Sequence, residues 1–220
     1  MELQEVVGMI DHTLLGQSVA WPEVQILIDE AIRHGAASVC IPPCFVVKAK
    51  DYAGDAIPVC TVVGFPLGYQ TTPVKIAEAE DALKNGADEI DMVINLCAVK
   101  EKDFDLVRSE IEQIRTVTAG KILKVIVETC LLEEKEKTIL CGIVTDVGVD
   151  YIKTSTGFAG IGATARDIVL MAANIGPGVK IKASGGITTL EEARRFVLLG
   201  ASRIGSSRVI KLLETNSLDD

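Results

Sequence analysis

Two lysines and one aspartate in this sequence are of the types that perform covalent chemistry on carbonyl compounds. Lys153 ends an apolar run that begins at Val147, and Lys182 lies in a second short apolar run. Asp91 lies inside a third, residues 89–95. A lysine on a buried strand is costly unless it is paired or used, because burial disfavours its charged form. A buried amine that loses its proton is the nucleophile of Schiff-base catalysis.

Lys153 and Lys182 would lie close together on adjacent parallel strands, which are ~4.8 Å apart. A lysine pKa is ordinarily near ~10.4, and a nearby ammonium and partial desolvation both lower it. A fall of the pKa to about 7.4 would leave roughly half of the amine free near neutral pH. The alternative is that Asp91, Glu128 or Asp11 neutralises each lysine in a polar core network. That alternative explains poorly why the charges gather at one end of the predicted fold.

Positioning these side chains requires a fold that brings several strand ends together. Short apolar strands are predicted near residues 10, 40, 61, 91, 125, 152, 181 and 203, and a helical segment follows each. Eight alternating units in a chain of 220 residues are typical of a (β/α)₈ TIM barrel, an α/β fold with helices outside a parallel sheet. A short extra N-terminal helix is predicted over 3–8. No linker divides the chain, so we expect one domain over 1–220.

Element boundaries follow from proline, glycine and hydrophobic periodicity. The sequence predicts strand five over 122–128, strand eight over 202–204, one helix over roughly 100–118 and a final helix from about Ser206. The polar end, 216–220, is expected to fray. The competing fold is an open doubly wound sheet, which needs a glycine fingerprint after the first strand. Residues 11–16, Asp-His-Thr-Leu-Leu-Gly, are not such a fingerprint.

In a TIM barrel the functional residues lie at the carboxyl ends of the strands. Polar or charged residues are predicted at or near five of these ends: Asp11, Asn95, Glu128, Lys153 and Lys182. Successive side chains of a strand point to opposite faces. Since the apolar neighbours of Asp91, Lys153 and Lys182 should face the helices, we expect these three side chains to point into the barrel.

Two glycine-serine loops could bind a phosphate. Ser184-Gly185-Gly186 follows the seventh predicted strand, and Gly205-Ser206-Ser207 follows the eighth and is predicted to open a helix. TIM barrels often bind phosphate with these two loops and a helix N-terminus, where backbone N–H groups favour an anion. The alternative is that the loops are ordinary turns and that the serine caps the helix.

Composition excludes several classes of function. A net charge of −9 and an aromatic content of 4% argue against nucleic acid or an anionic membrane as a partner. No apolar run reaches the ~18 residues of a membrane span, and the acidic start does not resemble a signal peptide, so we expect a cytoplasmic protein. Six scattered cysteines predict buried free thiols. Cys40 and Cys44 lack a second ligand pair, so we expect no metal site.

The chain resembles the 2-deoxyribose-5-phosphate aldolase family over essentially its full length. The matching motifs are Ile-Asp-His-Thr-Leu-Leu (10–15), Val-Gly-Phe-Pro-Leu-Gly (63–68), Glu-Ile-Asp-Met-Val-Ile-Asn (89–95), Lys-Val-Ile-Val-Glu-Thr (124–129), Tyr-Ile-Lys-Thr-Ser-Thr-Gly-Phe (151–158), Lys-Ala-Ser-Gly-Gly-Ile (182–187) and Gly-Ser-Ser (205–207). The resemblance implies a class I aldolase that needs no metal or cofactor. It would cleave 2-deoxy-D-ribose 5-phosphate reversibly to D-glyceraldehyde 3-phosphate and acetaldehyde.

The resemblance also implies roles for individual residues. Lys153 would form the Schiff base, Lys182 would lower the pKa of Lys153 and join the proton relay, and Asp91 would be the acid/base group. Asp11 and Thr156 would support the relay and orientation. The phosphate pocket would comprise Gly157, Gly185, Gly186, Ser206 and Ser207. Two further positions are of interest: Phe158 stands where some relatives have a lysine, and Cys40 matches a cysteine that aldehydes could modify, although a buried structural role is the commoner one.

Two other functions remain open at this stage. A phosphosugar isomerase or synthase on the same barrel would use Asp91 or Glu128 as a base and the lysines as electrostatic clamps. A non-catalytic phosphometabolite-binding protein would bind phosphate esters without turnover, although binding alone does not need paired lysines beside a carboxylate. Barrels of this kind often associate through helical faces, so we expect a homodimer or homotetramer.

Overall fold

Eight parallel strands close into a barrel in chain order, which confirms the predicted fold. The computed structural model describes residues 2–216. Residues 217–220 of the polar end that was expected to fray lie outside the described residues. The strands are β1 (Ile10–Thr13), β2 (Ser38–Ile41), β3 (Val59–Val63), β4 (Glu89–Val93), β5 (Ile122–Ile126), β6 (Tyr151–Lys153), β7 (Lys180–Ser184) and β8 (Arg203–Ser206).

Helices surround the barrel, and a short helix precedes the first strand as predicted. The helices are α1 (Leu3–Val7), α2 (Trp21–His34), α3 (Val46–Ala53), α4 (Thr72–Lys84), α5 (Leu96–Lys100), α6 (Phe104–Val117), α7 (Glu134–Val147), α8 (Ala165–Asn174), α9 (Leu190–Leu198) and α10 (Val209–Asn216). Two short 3₁₀ turns, Pro43–Phe45 and Thr129–Leu131, complete the described elements.

Alternation along the strands separates an apolar shell from a charged barrel interior. Ile90 and Met92 on β4, Ile152 on β6 and Ile181 on β7 are buried and belong to the large hydrophobic core between sheet and helices. Their neighbours Asp91, Lys153 and Lys182 are buried as well but face inward. Apolar burial of the outer face stabilises the barrel, and the inner face is left for polar side chains.

Four boundaries differ from the sequence prediction in ways that affect the site. The helix predicted over roughly 100–118 is α6, which begins only at Phe104 because Asp103 caps it by accepting a hydrogen bond from the Leu106 N–H; the short helix α5 before it was not predicted. Strand β5 ends at Ile126, so Glu128 lies in the following turn. The final helix begins at Val209 rather than near Ser206, since Gly205 and Ser206 pair with β1 as part of β8. Asp11 lies within β1, which continues to Thr13.

No helix within residues 2–216 combines the length and the apolar character that a membrane span requires.

Candidate active site

Asp91 is the centre of a charged cluster at the floor of the barrel mouth. Its Oδ2 accepts hydrogen bonds from Lys153 Nζ at 2.7 Å and from Lys182 Nζ at 2.7 Å. Its Oδ1 accepts from Lys124 Nζ at 2.8 Å. Strand register produces this convergence, because Lys153 pairs with Lys182 across β6 and β7 and Asp91 pairs with Lys124 across β4 and β5. The predicted meeting of Lys153, Lys182 and Asp91 is therefore confirmed as geometry.

Asp11 extends the cluster towards β8. Its Oδ2 lies 2.5 Å from Lys182 Nζ and 3.4 Å from Lys124 Nζ. Its Oδ1 accepts from Arg203 Nη1 at 2.6 Å and from the Ser38 hydroxyl at 2.8 Å. The alternative considered from the sequence was a polar core network around the lysines, and such a network is present in the structure. It surrounds the predicted residues instead of replacing them.

The cluster contains more basic groups than acidic ones. Asp11, Glu89 and Asp91 supply three carboxylates. Four basic groups contact them: Lys124, Lys153, Lys182 and Arg203. Four minus three leaves one excess positive charge when every group is ionised. Removing a single proton would therefore balance the charge of the cluster.

Mutual attraction decides the ionisation of the buried groups. Burial opposes the charge on Asp91, but Lys124, Lys153 and Lys182 outweigh it and hold the pKa of Asp91 well below its usual range. Burial likewise disfavours the Lys182 ammonium, but Asp11 and Asp91 outweigh it and raise the pKa of Lys182. The pKa of Lys124 is raised for the same reason. Lys182 and Lys124 are consequently permanent cations beside an ionised Asp91.

Three members of the cluster were not predicted as site residues: Lys124, Arg203 and Glu89. Lys124 is fully buried and contacts Glu89 as well as Asp91. Arg203 lies over the ring of Tyr151, 5.3 Å from its centroid, and contacts both Asp11 and Glu89. The available signal was a charged residue within each apolar strand segment, the same signal that identified Lys182.

A cavity of about 500 Å³ opens above Lys153. The sequence-predicted residues that line it are Lys153, Thr156, Gly157, Gly185, Gly186, Ser206 and Ser207. Asp91, Lys182 and Asp11 do not line it and lie beneath, connected to it through Lys153. Lys153 is 3% exposed, so its amine is the member of the charged cluster that a ligand in the cavity can reach.

One wall of the cavity depends on two glycines in close contact. A Cβ atom on Gly162 would collide with the backbone of Gly185, 1.9 Å from its carbonyl oxygen. Gly185 also has a φ of 83°, in the left-handed region that favours glycine. The Ala163 N–H donates to the carbonyl oxygens of Ser184 and Gly185, at 3.0 and 3.2 Å. These contacts press the loop after β6 against the loop after β7.

Ser206 caps a turn with its side chain. Its hydroxyl donates to the carbonyl oxygen of Ile187 at 2.8 Å and accepts from the N–H groups of Arg208 and Val209, at 3.1 and 3.2 Å. The residue is 4% exposed. The hydroxyl is therefore committed to the β8–α10 turn, as in the capping alternative considered for the sequence.

Glu128 and Thr156 form a second polar contact beside Lys153. The Thr156 hydroxyl donates to Glu128 Oε2 through a short hydrogen bond, and the Thr156 N–H also donates to this carboxylate, 3.2 Å from Oε2. Glu128 adopts a positive φ of 53°, which is uncommon for a residue with a side chain. Burial raises the pKa of Glu128 even though Thr156 stabilises its charged form. The pair holds the loop after β6 in place.

The cysteine contacts differ from those expected. Cys40 is buried whereas Cys44 is exposed, and the neighbour of Cys40 is Cys60, its register partner on β3. The sulfur atoms of Cys40 and Cys60 and a carboxylate oxygen of Asp91 lie within 4.8 Å of one another. These atoms are suitable metal donors, but Lys124 donates to both Cys60 Sγ, at 3.3 Å, and Asp91. The surrounding positive charge disfavours a cation at this position.

Comparison with known proteins supplies the relationship of this chain. Residues 6–207 match the family described as DeoC/LacD family aldolase. The deoxyribose-phosphate aldolase of Streptococcus agalactiae serotype Ia is 52% identical over 220 residues, which cover 100% of this chain and 99% of the relative. That of Streptococcus pyogenes serotype M4 is 53% identical over 217 residues, 99% of this chain and 97% of the relative.

A solved structure agrees with the sequence matches. The tetrameric deoxyribose phosphate aldolase from Aeropyrum pernix superimposes with a TM-score of 0.87 and 32% identity, covering 98% of this chain and 92% of that one. The family match covers most of the chain, and the identity to full-length relatives exceeds one half. The chain belongs to the DeoC/LacD aldolase family.

Proposed function

We propose that the protein catalyses the reversible aldol cleavage of 2-deoxy-D-ribose 5-phosphate to D-glyceraldehyde 3-phosphate and acetaldehyde. The family and the full-length relatives named deoxyribose-phosphate aldolase support this reaction. The observation that carries the mechanism is the position of Lys153, whose amine reaches the cavity and lies 2.7 Å from Asp91, the carboxylate that also binds Lys182.

In the proposed reaction Lys153 is the nucleophile. Its neutral amine attacks C1 of the open-chain aldehyde and forms a carbinolamine, which loses water to give a protonated imine. The C3 hydroxyl then gives up its proton, the C2–C3 bond breaks, and its electron pair moves through C2 to the imine nitrogen. D-Glyceraldehyde 3-phosphate leaves, and an enamine remains on Lys153. Protonation of C2 and hydrolysis of the imine release acetaldehyde and restore the amine.

Asp91 and Lys182 would have different roles: Asp91 would transfer protons, and Lys182 would supply a positive charge. Asp91 receives the Lys153 proton and passes it to water or to the carbinolamine hydroxyl, within the ~3 Å reach that proton transfer needs. Because its pKa is held low, Asp91 keeps that proton only briefly. Lys182 remains an ammonium and donates to the same oxygen of Asp91 as Lys153 does, each at 2.7 Å. Asp11 orients Lys182 through the 2.5 Å contact.

The phosphate would lie at the opposite end of the cavity, on the loops after β6, β7 and β8. Gly157, Gly185, Gly186 and Ser207 line that part and would present backbone N–H groups to the anion. Ser206 would contribute by shaping the turn, since its hydroxyl is already bonded to Ile187. Binding the remote phosphate supplies energy for orienting the reacting carbon.

Borohydride trapping tests the proposal. Protein treated with acetaldehyde and borohydride should carry one reduced two-carbon adduct, which peptide mass spectrometry should map to Lys153. Lys153→Arg keeps a positive charge and should abolish both adduct and turnover. The isomerase or synthase alternative predicts activity that survives Lys153→Arg. The phosphometabolite-binding alternative predicts phosphate-ester binding without turnover. An adduct confined to another lysine would overturn the assignment of Lys153.

The assembly and location belong to the same proposal. A homo-oligomer, dimer or tetramer, is supported by the tetrameric relative from Aeropyrum pernix, and light scattering coupled to gel filtration would measure it. A cytoplasmic location fits small phosphorylated metabolites as substrates, and cell fractionation would check it.

A further inference from the structure

We propose that Arg208 is the cationic anchor for the substrate's phosphate and so determines the preference for phosphorylated over neutral sugars. The inference rests on the proposed function for the identity of the sugar, although the anion site itself can be tested separately. Among the described residues that line the cavity, Lys153 and Arg208 are the two with basic side chains. Lys153 is committed to Asp91, which leaves Arg208 for an anion in the cavity.

The turn between β8 and α10 fixes the main chain of Arg208 at the cavity wall. Its N–H donates to the Ser206 hydroxyl at 3.1 Å, and that hydroxyl is anchored to Ile187. Arg208 follows Ser207 directly and precedes the first residue of α10, Val209. A side chain carried on this pinned turn starts close to the N–H groups of the loops after β7 and β8. The same region of the cavity contains Gly185, Gly186 and Ser207.

The Arg208 guanidinium has no ion pair with any residue in the described part of the chain, and the residue is exposed. Arg203 and Arg115, by contrast, are engaged: Arg203 binds Asp11, and Arg115 binds Asp150 at 2.7 Å. A planar guanidinium can donate two parallel hydrogen bonds to one phosphate. An unpaired arginine beside N–H-rich loops is therefore suited to a phosphate ester.

The charge of the whole protein makes a local cation necessary. The chain carries a net charge of −9, so its mean field repels a sugar phosphate dianion. On the side of β6 the cavity wall includes the ring of Phe158, which contacts Phe65 edge-to-face at 5.2 Å. That ring offers no charge to the phosphate. Arg208 supplies charge from the turn after β8, next to the loops that supply the N–H groups.

Steady-state kinetics on two substrates measure the contribution of Arg208. For Arg208→Gln we expect kcat/KM with 2-deoxyribose 5-phosphate to fall about 30-fold, as for the loss of a charge-assisted hydrogen bond pair. With unphosphorylated 2-deoxyribose it should stay within about twofold. Arg208→Lys should recover part of the loss, since a lysine keeps the charge but not the planar fork. The control Lys211→Gln removes an equal charge from an exposed position on α10 and should change neither substrate more than about twofold.

Binding of inorganic phosphate tests the site independently of aldolase activity. Phosphate should raise the thermal unfolding midpoint of the wild-type protein and of Lys211→Gln, because a ligand that binds the folded state stabilises it. Arg208→Gln should lose most of that rise while keeping its unfolding midpoint in phosphate-free buffer. Equal kinetic losses on the two sugars, or an unchanged phosphate effect in Arg208→Gln, would overturn this inference and leave the aldolase proposal intact. Failure to trap acetaldehyde on Lys153 in wild-type protein would instead overturn the aldolase proposal.

Discussion

Two buried lysine–carboxylate sites in this molecule have opposite electrostatic characters. In the helical layer, Lys75 on α4 donates to Glu110 on α6 at 2.8 Å and to the Val93 carbonyl oxygen at 2.9 Å. Both side chains are nearly or completely buried. Inside the barrel, by contrast, each lysine shares its carboxylates with other basic groups. We call the first site the isolated pair because Lys75 and Glu110 have one salt-bridge partner each among the described residues, although Glu78 also attracts Lys75 from farther away; the second site is a network.

The two sites respond to burial differently because they differ in the number of close salt-bridge partners. At the isolated pair burial dominates: it lowers the pKa of Lys75 and raises the pKa of Glu110. In the network several partners outweigh burial, so the pKa of Lys182 rises and that of Asp91 falls. In this protein one close salt-bridge partner does not offset the desolvation of an ion, whereas two or three do. A buried lysine is therefore not by itself a sign of catalysis.

The largest expected contrast is in catalysis. Lys182→Met removes a cation beside Lys153 and should lower kcat about 10³-fold, in the range for loss of one electrostatic group at a reacting centre. Lys75→Met removes an equally buried lysine that does not touch the cavity and should leave kcat within about twofold. Circular dichroism should show that both variants are folded. Retention of a tenth or more of wild-type kcat by Lys182→Met would contradict the role proposed for the network.

The next contrast is in stability. Lys75→Met leaves the Glu110 carboxylate buried without its cation and should lower the free energy of unfolding in urea by about 3 kcal/mol. Adding Glu110→Leu should recover most of this loss, because a buried pair replaced by apolar side chains is often neutral.

In the network, replacing an ion pair by apolar side chains should not restore the stability of the protein. Lys124→Met with Asp91→Leu leaves Lys153 and Lys182 without the carboxylate they share, so the double variant should remain less stable than wild type by about 3 kcal/mol or more. Recovery at both sites, or at neither, would mean that the number of opposite charges does not distinguish them.

The contributions of the two sites to stability should change with pH in opposite directions. Glu110 has a raised folded-state pKa, so between 4.5 and that pKa the folded state binds more protons than the unfolded state. Its contribution to stability therefore falls as pH rises through this window. Asp11 has a lowered folded-state pKa, so its contribution is present above 3.8 and is lost as pH falls below that value.

Paired urea titrations measure these signs. The stability of wild type minus that of Glu110→Gln should decrease as pH rises above 4.5. The stability of wild type minus that of Asp11→Asn should decrease in the other direction, as pH falls from about 5 to about 3. Slopes of equal sign at the two sites would refute the contrast.

Sequence reasoning found the network because strand alternation is a local property. Asp91, Lys153 and Lys182 have apolar neighbours that face the helices, so their direction could be predicted without knowing the register. Depth along the barrel axis depends on register between distant strands, such as Asp91 with Lys124. That information is not local, and Lys124 and Arg203 were therefore not predicted as part of the cluster.

The isolated pair shows the limit of reading burial from residue type. Lys75 is fully buried, whereas its neighbour Val74 is 48% exposed. The Lys75 side chain packs over Gly64, where an added Cβ would approach Lys75 Cε to 2.8 Å, and Glu110 lies on a different helix. Tertiary contacts bury Lys75 even though lysine is a residue type that is rarely fully buried. The predicted start of the final helix near Ser206 was wrong for a smaller reason, since strand β8 continues beyond the apolar residues that marked it.

The smallest expected effect concerns Glu128, a buried carboxylate whose direct contacts are hydrogen bonds from Thr156. Thr156 in turn accepts from the Phe158 N–H at 3.0 Å, so Glu128 orders the loop of residues 156–158 that lines the cavity. Glu128→Gln should raise KM for 2-deoxyribose 5-phosphate about fivefold and leave kcat within about twofold, as expected for a weakened hydrogen bond at a positioning residue. Thr156→Val, which removes the hydroxyl, should act in the same direction.

The pH dependence of KM separates this positioning role from a general loss of structure. Burial raises the pKa of Glu128, and Gln resembles the protonated form, which accepts from Thr156 less strongly. The wild-type KM should therefore rise as pH falls towards that pKa. Glu128→Gln should lack this rise and keep a KM near the acid value throughout. A variant whose KM still follows pH as in wild type would show that Glu128 does not control the loop, and that hydrogen bonds alone, without a lysine, are too weak to position this side of the cavity.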